Sequence, residues 1–417
     1  MSTDLKVNEP LTLKCGLTLP NRLSKAAMAE HEATREMLPS SDHVRSYSAW
    51  AEGGWGMVMT GNVMVDKRHL GSKGDVAYND AVPYEEQLAA WTRWAEACKR
   101  NGTPTIVQIN HPGRQSTPGA GTRGFFAKTV SSSATPLRPG NGFLPSIIGA
   151  LLFGTPREMT AEDIRELVDG FARMAKLSAE AGFAGAEIHA AHGYLLDQFL
   201  SPKVNKRTDE YGIGSASKGA KVVVDIIEAM RAVVPAGFCI GIKLNSVDHQ
   251  SQEQLALCIE QLKLITGAGV DFIEISGGSY ENPKMLASGQ PQEQAKSSRT
   301  KAREAFFLEF AATIRHQFPD TPLMVTGGFR SRNAMKAALQ SGDCDLIGLA
   351  RPSVLEPHLP KKTILNPKVA DDDAVLYTEK IQPPALIEAL GLKSMLSAVT
   401  AGAETMWYGA RIRELGQ

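Results

Sequence analysis

Eight short apolar runs, most followed by an amphipathic segment, predict a (β/α)8 barrel for this 417-residue chain. Two further observations agree. Several runs are apolar almost throughout, as strands buried on both faces of a parallel sheet must be. The first run opens into AAMAEHEAT, not into the G-x-G-x-x-G turn that begins a doubly wound nucleotide-binding sheet.

In chain order the runs centre on Lys25–Met28, Met57–Thr60, Thr105–Ile109, Ala186–His189, Cys239–Leu244, Phe272–Ser276, Leu323–Thr326 and Leu346–Leu349. A helix is expected over His43–Glu52 and another over Tyr84–Arg100, where Leu88, Trp91, Ala95 and Cys98 recur at helical spacing before Asn101-Gly102. Over Thr160–Ala181 the apolar face is Ile164, Leu167, Val168, Phe171 and Ala175. Thr160 with Asp163 resembles a capping box, and Gly182 stands where a helix C-terminus favours glycine. Further helices are expected over Lys218–Val234, Gln252–Thr266, Ala302–Phe318 and Arg332–Gln340.

Two connections are long. Residues 113–158 are rich in Gly, Pro and Ser, and residues 277–300 in Gly, Ser and Gln. Both follow strands, so in a barrel both overhang the catalytic face as lids. The tail from residue 353 is expected to turn helical after about residue 371, packing on the barrel or sealing a homodimer with Trp407 and Tyr408. The expected division is a barrel over residues 1–360 and a C-terminal helical extension over 361–417.

Lys and Arg number 45 against 45 Asp and Glu, so the formal net charge is zero. No bulk electrostatic attraction would then drive binding to nucleic acid or a membrane surface. The longest apolar stretch, Phe143 to Phe153, contains Pro and Ser and is too short to span a bilayer. Cys15, Cys98, Cys239, Cys258 and Cys344 form no C-x-x-C pair, and an odd, scattered set makes a poor disulfide framework or metal cluster. With a polar start, MSTDLKVNEP, this reads as a cytoplasmic, reduced protein.

In a barrel, chemistry gathers at the C-terminal ends of the strands. The seventh run ends in Thr326-Gly327-Gly328-Phe329-Arg330 and the eighth in Gly348-Leu349-Ala350-Arg351. Adjacent glycines let backbone N–H groups approach an anion, and Arg351 can fork onto phosphate oxygens. A phosphate-bearing cofactor such as FMN, or a phosphorylated substrate, is therefore expected. The fourth run ends in Glu187-Ile188-His189-Ala190-Ala191-His192-Gly193-Tyr194. Two imidazoles three residues apart can converge on one oxygen, and Tyr194 adds a phenol, a set able to polarise a carbonyl and deliver a proton. H-x-x-H also suits zinc, but no third ligand follows at diagnostic spacing, so no metal is expected. Gln108 suits the edge of a heterocycle. Lys243, inside an apolar run, needs an anion: a ligand in the barrel mouth, or Glu187 or Glu274 on neighbouring strands.

Taken together, NRLSKAAM (21–28), VQINHPGRQ (107–115), EIHAAHGYLLDQFLSPKVNKRTDEYG (187–212), GIKLNSVD (241–248), TGGFRSR (326–332) and LIGLARP (346–352) resemble the Old Yellow Enzyme family of FMN-dependent oxidoreductases. The resemblance runs from about residue 8 to 360. It implies FMN as resident cofactor, NADH or NADPH as transient hydride donor, and an α,β-unsaturated carbonyl compound as substrate in ping-pong turnover. It also implies roles. Ala27 and Met28 would lie against the flavin ring, with Gly61 leaving room for it. Gln108 would bond the pyrimidine edge and Lys243 would stand beside N1 and O2. Gly327, Gly328, Ala350 and Arg351 would hold the phosphate. His189 and His192 would bind the carbonyl oxygen, and Tyr194 would donate the proton.

Two departures from the family pattern stand out. Ala29 occupies the place of a Thr or Cys that bonds the flavin O4, implying a lowered flavin potential and slower reduction by nicotinamide. Asn110 replaces a pocket tryptophan found in some members, implying a more polar wall. These departures leave room for a biosynthetic or oxygen-using reaction. Two other readings stand beside the ene-reductase: a flavin-free, phosphate-handling lyase or isomerase with Lys243 as base, and an FMN-holding barrel that serves only to bind.

Overall fold

The computed structural model describes residues 6–124, 126–138, 149, 153–245, 252–277, 308–381 and 393–415. Eight parallel strands close into a barrel: β1 (Leu23–Lys25), β2 (Met57–Met64), β3 (Thr105–Asn110), β4 (Gly185–Ala190), β5 (Cys239–Asn245), β6 (Phe272–Ser276), β7 (Leu323–Thr326) and β8 (Leu346–Leu349). Each pairs with its neighbours in sequence, and β8 closes the ring onto β1 through Leu349 opposite Lys25.

The expected strands are present, with two boundary differences. β1 ends at Lys25, whereas the sequence suggested a strand over Lys25–Met28. Leu23–Lys25 pair with β8 and Ser24–Lys25 with β2, and Ala27 and Met28 leave the sheet as the start of the loop over the mouth. β2 runs on to Met64, past a register shift between Met59 and Asn62 that places Gly61 mid-strand.

Inside the barrel the side chains stack in layers. The floor is apolar, formed by Met57, Met59, Ile106, Cys239, Phe272, Met324 and Leu346 near the strand starts. A hairpin of Leu11–Thr12 and Thr18–Leu19 seals it, burying Leu13 and Leu19 in the same cluster. Above the floor the layer turns polar, with Gln108, Glu187, Lys243 and Glu274 all buried. Strand alternation then places Asn110, His189, Asn245 and Ser276 one level higher, nearer the C-terminal rim.

The helices bury their apolar stripes against the outer faces of the strands. Over Ala161–Ala181, Ile164, Leu167, Phe171, Met174 and Ala175 face inward. That helix starts in the expected capping box of Thr160 with Asp163 and stops at Gly182, whose φ of +96° favours glycine. The helices Ser41–Glu52, Tyr84–Cys98, Ala216–Val233, Gln252–Gly267 and Arg332–Ser341 lie within two residues of expectation. Of the helix expected over Ala302–Phe318, residues 308–317 are described and helical.

The tail departs from the sequence reading. Residues 371–381 are not helical; they run as an irregular strap. Arg332 N–H donates to Ala374 O, its guanidinium bonds Asp371, and Leu376 N–H bonds Arg330 O. With the backbone committed to those partners, a helical ladder cannot form there. A helix follows over Lys393–Arg413, in which Tyr408 is buried and exchanges hydrogen bonds with the backbone of Glu379. Tyr408 therefore packs within its own chain. Of the two expected lids, the first includes a 3-10 turn, Gly113–Gln115, and a short pairing of Val130–Ser131 with Arg157–Glu158. The second, 277–300, lies outside the described residues after Gly277.

Candidate active site

The strand order brings the sequence-predicted residues to one rim. β7 and β8 pair Thr326 with Gly348, so Gly327-Gly328 and Ala350-Arg351 emerge side by side. The φ angles of Gly327 and Gly328 are +128° and +88°, in the left-handed region that favours glycine. Gly348 is glycine for packing: a Cβ there would stand 1.9 Å from Thr326 Oγ1. Ala350 caps the short helix Arg351–Leu355. Arg351 already has a partner. Its guanidinium donates to Glu404 of the C-terminal helix at 3.0 Å, and Glu404 is fully buried.

One strand further round, the loop after β1 carries Ala27, Met28 and Ala29. Gly61 proves to serve a neighbour: its absent Cβ would lie 1.8 Å from Glu30 Oε2 and 2.3 Å from Met28 O. The room expected for a ring is taken by Glu30, which accepts from Gly61 N–H at 2.7 Å and from the Tyr47 hydroxyl. Beneath this loop Lys25 is wholly buried, donating to Met59 O at 3.0 Å with its ammonium 4.1 Å over the Trp50 ring. Burial lowers its pKa to about 8 even with the Glu30 carboxylate pulling the other way.

The polar layer follows from register. Gln108 stands opposite Glu187 across β3–β4, His189 opposite Lys243 across β4–β5, and Lys243 opposite Glu274 across β5–β6. Gln108 Nε2 donates to Glu187 Oε2 at 2.7 Å, and Lys243 Nζ donates to Glu274 Oε1 at 2.6 Å. The lysine thus has its anion in a protein carboxylate, the second of the two partners its sequence position allowed. Burial, with Glu274 close by, pushes the Glu187 carboxyl well up despite Lys243.

The two histidines bond to one another. Ala191 N–H donates to His189 Nδ1 at 3.3 Å, so the His189 proton sits on Nε2. That Nε2–H faces His192 Nδ1 at 3.3 Å, and His192 Nε2–H then reaches Ser276 Oγ at 3.1 Å. They form a directed chain. Burial, then the neighbouring His192 and Lys243 for His189 and Lys243 alone for His192, holds both pKa values well below the usual 6.5. Both rings are neutral N–H donors at physiological pH. His192 has a left-handed φ of +63°, held by Gln115 Nε2 on its carbonyl and by Asp197 on the next N–H. Tyr194 follows as N-cap of the helix Leu195–Leu200, its ring edge-on to His189 at 4.9 Å.

Sequence reasoning missed Glu30, Ser276, Gln115 and Glu404, which meet the site only through the closed barrel and the returning tail. It also missed Asp66, His69 and His111 beside the mouth. Burial opposes ionisation of Asp66, but hydrogen bonds from His111 and His69 outweigh it and hold the carboxyl well below the usual range. His111 Nδ1 accepts from Gly113 N–H at 3.0 Å, leaving its proton on Nε2 toward Asp66. This trio ties the loop after β2 to the end of β3; His189 and His192 belong to no such acidic cluster among the described residues.

A ligand with hydrogen-bond donors suits the mouth. Two buried oxygens around it, Asn110 Oδ1 and Thr326 Oγ1, have no partner among the described residues. A cationic lysine, an amide and two left-handed glycines beside an arginine add the donor set for a flavin and its phosphate. The residues fit FMN.

Comparisons with known proteins agree. Residues 6–366 match the model of the NADH:flavin oxidoreductase / NADH oxidase family. The chain is 49% identical over 416 residues to the NADH-dependent flavin oxidoreductase iccE of Talaromyces variabilis, covering 99% of each. It is 51% identical over 400 residues to the NADH-dependent flavin oxidoreductase iliE of Neonectria sp. (strain DH2), covering 94% of this chain but 52% of that protein. Among solved structures, the Old Yellow Enzyme homologue from Zymomonas mobilis superposes with a TM-score of 0.68 at 21% identity, covering 88% of this chain and 94% of that one. Morphinone reductase gives 0.67 at 22%, covering 87% and 90%. At those identities the structural likeness shows the fold.

Proposed function

The chain belongs to the NADH:flavin oxidoreductase / NADH oxidase family, that of Old Yellow Enzyme, and from that premise we propose that it reduces the activated C=C bond of an α,β-unsaturated carbonyl compound. It is an FMN-dependent oxidoreductase with NADH or NADPH as hydride source. The observation that carries the finer reading is the His189–His192–Tyr194 group at the end of β4, beside Lys243. Bound in the mouth, FMN supplies hydride chemistry; the protein supplies the rest.

Lys243 and Gln108 would meet the pyrimidine side of the cofactor, Ala27 and Met28 its ring, and Gly327, Gly328, Ala350 and Arg351 its phosphate. Gly61 serves by admitting Glu30, which supports the loop carrying Met28. A substrate carbonyl would take the His192 Nε2–H from Ser276 and share the His189 Nε2–H. Two neutral donors withdraw charge from the conjugated alkene without protonating the oxygen, which favours attack at the β-carbon. The Tyr194 hydroxyl would place a proton on the α-carbon. Nicotinamide and carbonyl substrate would occupy the same face in turn, giving ping-pong kinetics.

The test separates the two half-reactions. Tyr194→Phe should leave bleaching of the yellow protein by NADH or NADPH within about twofold of wild type. Recolouring by a cyclic enone should fall by roughly 10²-fold or more, the usual share of a positioned proton donor. Equal loss in both halves would refute the assignment of Tyr194. Absence of enone-driven recolouring in the wild type would refute the ene-reductase reading.

A further inference from the structure

Of the five cysteines, two meet at the barrel floor, away from the active site. Cys15 lies at the turn of the N-terminal hairpin and Cys239 opens β5. Their sulfurs lie within 4.8 Å of each other, with the Asp271 carboxylate equally close. We propose that Cys15 and Cys239 form a reversible disulfide that staples the hairpin to the floor of the barrel.

Three features support it. The two thiols are unequal in the way stepwise exchange needs. Cys15 is half-buried, and a hydrogen bond from Cys239 outweighs burial to lower its pKa, so it is the more reachable and more readily ionised of the two. Cys239 is fully buried, and burial pushes its thiol well up, so it stays protonated until an attack at Cys15 brings a sulfur leaving group within reach. Second, the remaining cysteines make poor competitors. Cys98, Cys258 and Cys344 are buried, and burial raises all three thiols, Cys258 to about 12. Third, the hairpin has something to gain. Its strands are two residues each, and Leu13, Leu19 and a bond from Lys14 Nζ to Thr321 Oγ1 hold it on.

A metal on the same trio is disfavoured. Asp271 already accepts from Ile240 N–H at 2.7 Å and from the Arg231 guanidinium, whose charge would oppose a bound cation.

The chemistry balances with a small disulfide as oxidant. The Cys15 thiolate attacks oxidised glutathione, breaking its S–S bond and releasing one glutathione thiolate. The Cys239 sulfur then displaces the second glutathione from Cys15. Two protein thiols lose two electrons, and their two protons end on the two released glutathione thiols. The linkage closes a long loop of chain, which restricts the unfolded state.

The FMN-loaded, full-length protein is equilibrated in buffers of rising oxidised-to-reduced glutathione ratio and quenched in acid. Free thiols are alkylated, and non-reduced peptides are mapped by mass spectrometry. A Cys15–Cys239 linkage should accumulate to most of the protein, while Cys98, Cys258 and Cys344 become alkylated only after denaturation. Amide exchange over residues 11–19 should slow several-fold on oxidation. In Cys239→Ser, glutathione should instead remain on Cys15. The proposal is overturned if wild-type Cys15 keeps glutathione without linking to Cys239. It is equally overturned if Cys15 stays free at every ratio, or if the linkage signal survives Cys15→Ser.

Discussion

The two histidines at the end of β4 are neutral because of what lies beyond their own strand. Burial in the mouth and the Lys243 ammonium across β5 both disfavour imidazolium. The linkage to stability follows in sign. The unfolded chain takes up these protons near pH 6.5 and the folded chain does not, so their contribution is complete above about pH 6.5 and is lost as pH falls. Glu32 acts in the opposite direction. Burial first, then the carboxylates of Glu30 and Asp42, raise its pKa to about 8. The folded state keeps a proton that the unfolded state releases near pH 4.5, so Glu32 weakens the fold increasingly as pH rises from 4.5 to 8, by at most about 1.4 kcal/mol per pH unit. Glu32→Gln should therefore raise the melting temperature at pH 8 and leave it unchanged at pH 4.5, read by thermal denaturation across that range. At this scale the sequence singled out His189, His192, Tyr194, Gln108 and Lys243 as candidates, because His, Tyr and Lys in an apolar strand-end context need a reason to be there, and the fold brings them together. The partners of these side chains were not legible. The choice of Glu274 over Glu187 for Lys243 depends on strand stagger, and Glu30 behind Gly61 depends on the path of a loop.

Elements were the most legible level. β7 and β8 coincide with the expected runs, and the helix Ala161–Ala181 begins and ends at its expected signals. Local chemistry suffices there: Thr160 and Asp163 exchange side-chain-to-backbone bonds within one turn, and Gly182 takes a conformation that other residues resist. Thr160→Ala should cost about 1 kcal/mol in equilibrium urea denaturation, with the slope of the transition unchanged. A loss well above that would mean Thr160 also holds the loop bearing Arg157, which pairs with Asp163. Where partners are remote, the local reading failed. β1 was placed too late because Ala26–Met28 is as apolar as the strand itself, and only pairing with β8 and β2 decides where it stops. The strap over 371–381 carries no local signal for its path; the Arg330–Arg332 segment imposes it, bonding Ala374 O and Leu376 N–H from more than 40 residues back in the chain.

For the molecule as a whole, the ion pair of Arg351 with Glu404 couples the C-terminal helix to the phosphate end of the barrel. Glu404 is fully buried while Arg351 keeps some exposure, so the pair is held mainly by the helix. Glu404→Gln removes the charge at nearly constant shape. It should let trypsin cleave within Lys393–Arg413 several-fold faster and leave the full charge of Arg351 for a phosphate, tightening FMN binding several-fold in equilibrium dialysis. Faster cleavage with weaker FMN binding would show instead that the helix, not Arg351, retains the cofactor. The balanced charge of 45 against 45 takes its meaning here, since it coexists with buried titratable side chains: Lys25, Glu30, Glu32, Glu187, Lys243 and Glu274. Among the described residues no helix is long and apolar enough to cross a membrane.

What the sequence determined by itself is the barrel, its strand order and most of the side chains that gather at the C-terminal ends of its strands. Each of these follows from periodicity or from residue types costly to bury, which are properties of short windows of chain. What only the tertiary structure decided is who meets whom: Lys243 with Glu274, His189 with His192 and Ser276, Arg351 with Glu404, Cys15 with Cys239. Hydrogen bonds and charge pairs act over a few ångströms, and in a closed barrel strand register and the path of the returning chain, not distance along the sequence, set which groups come that close.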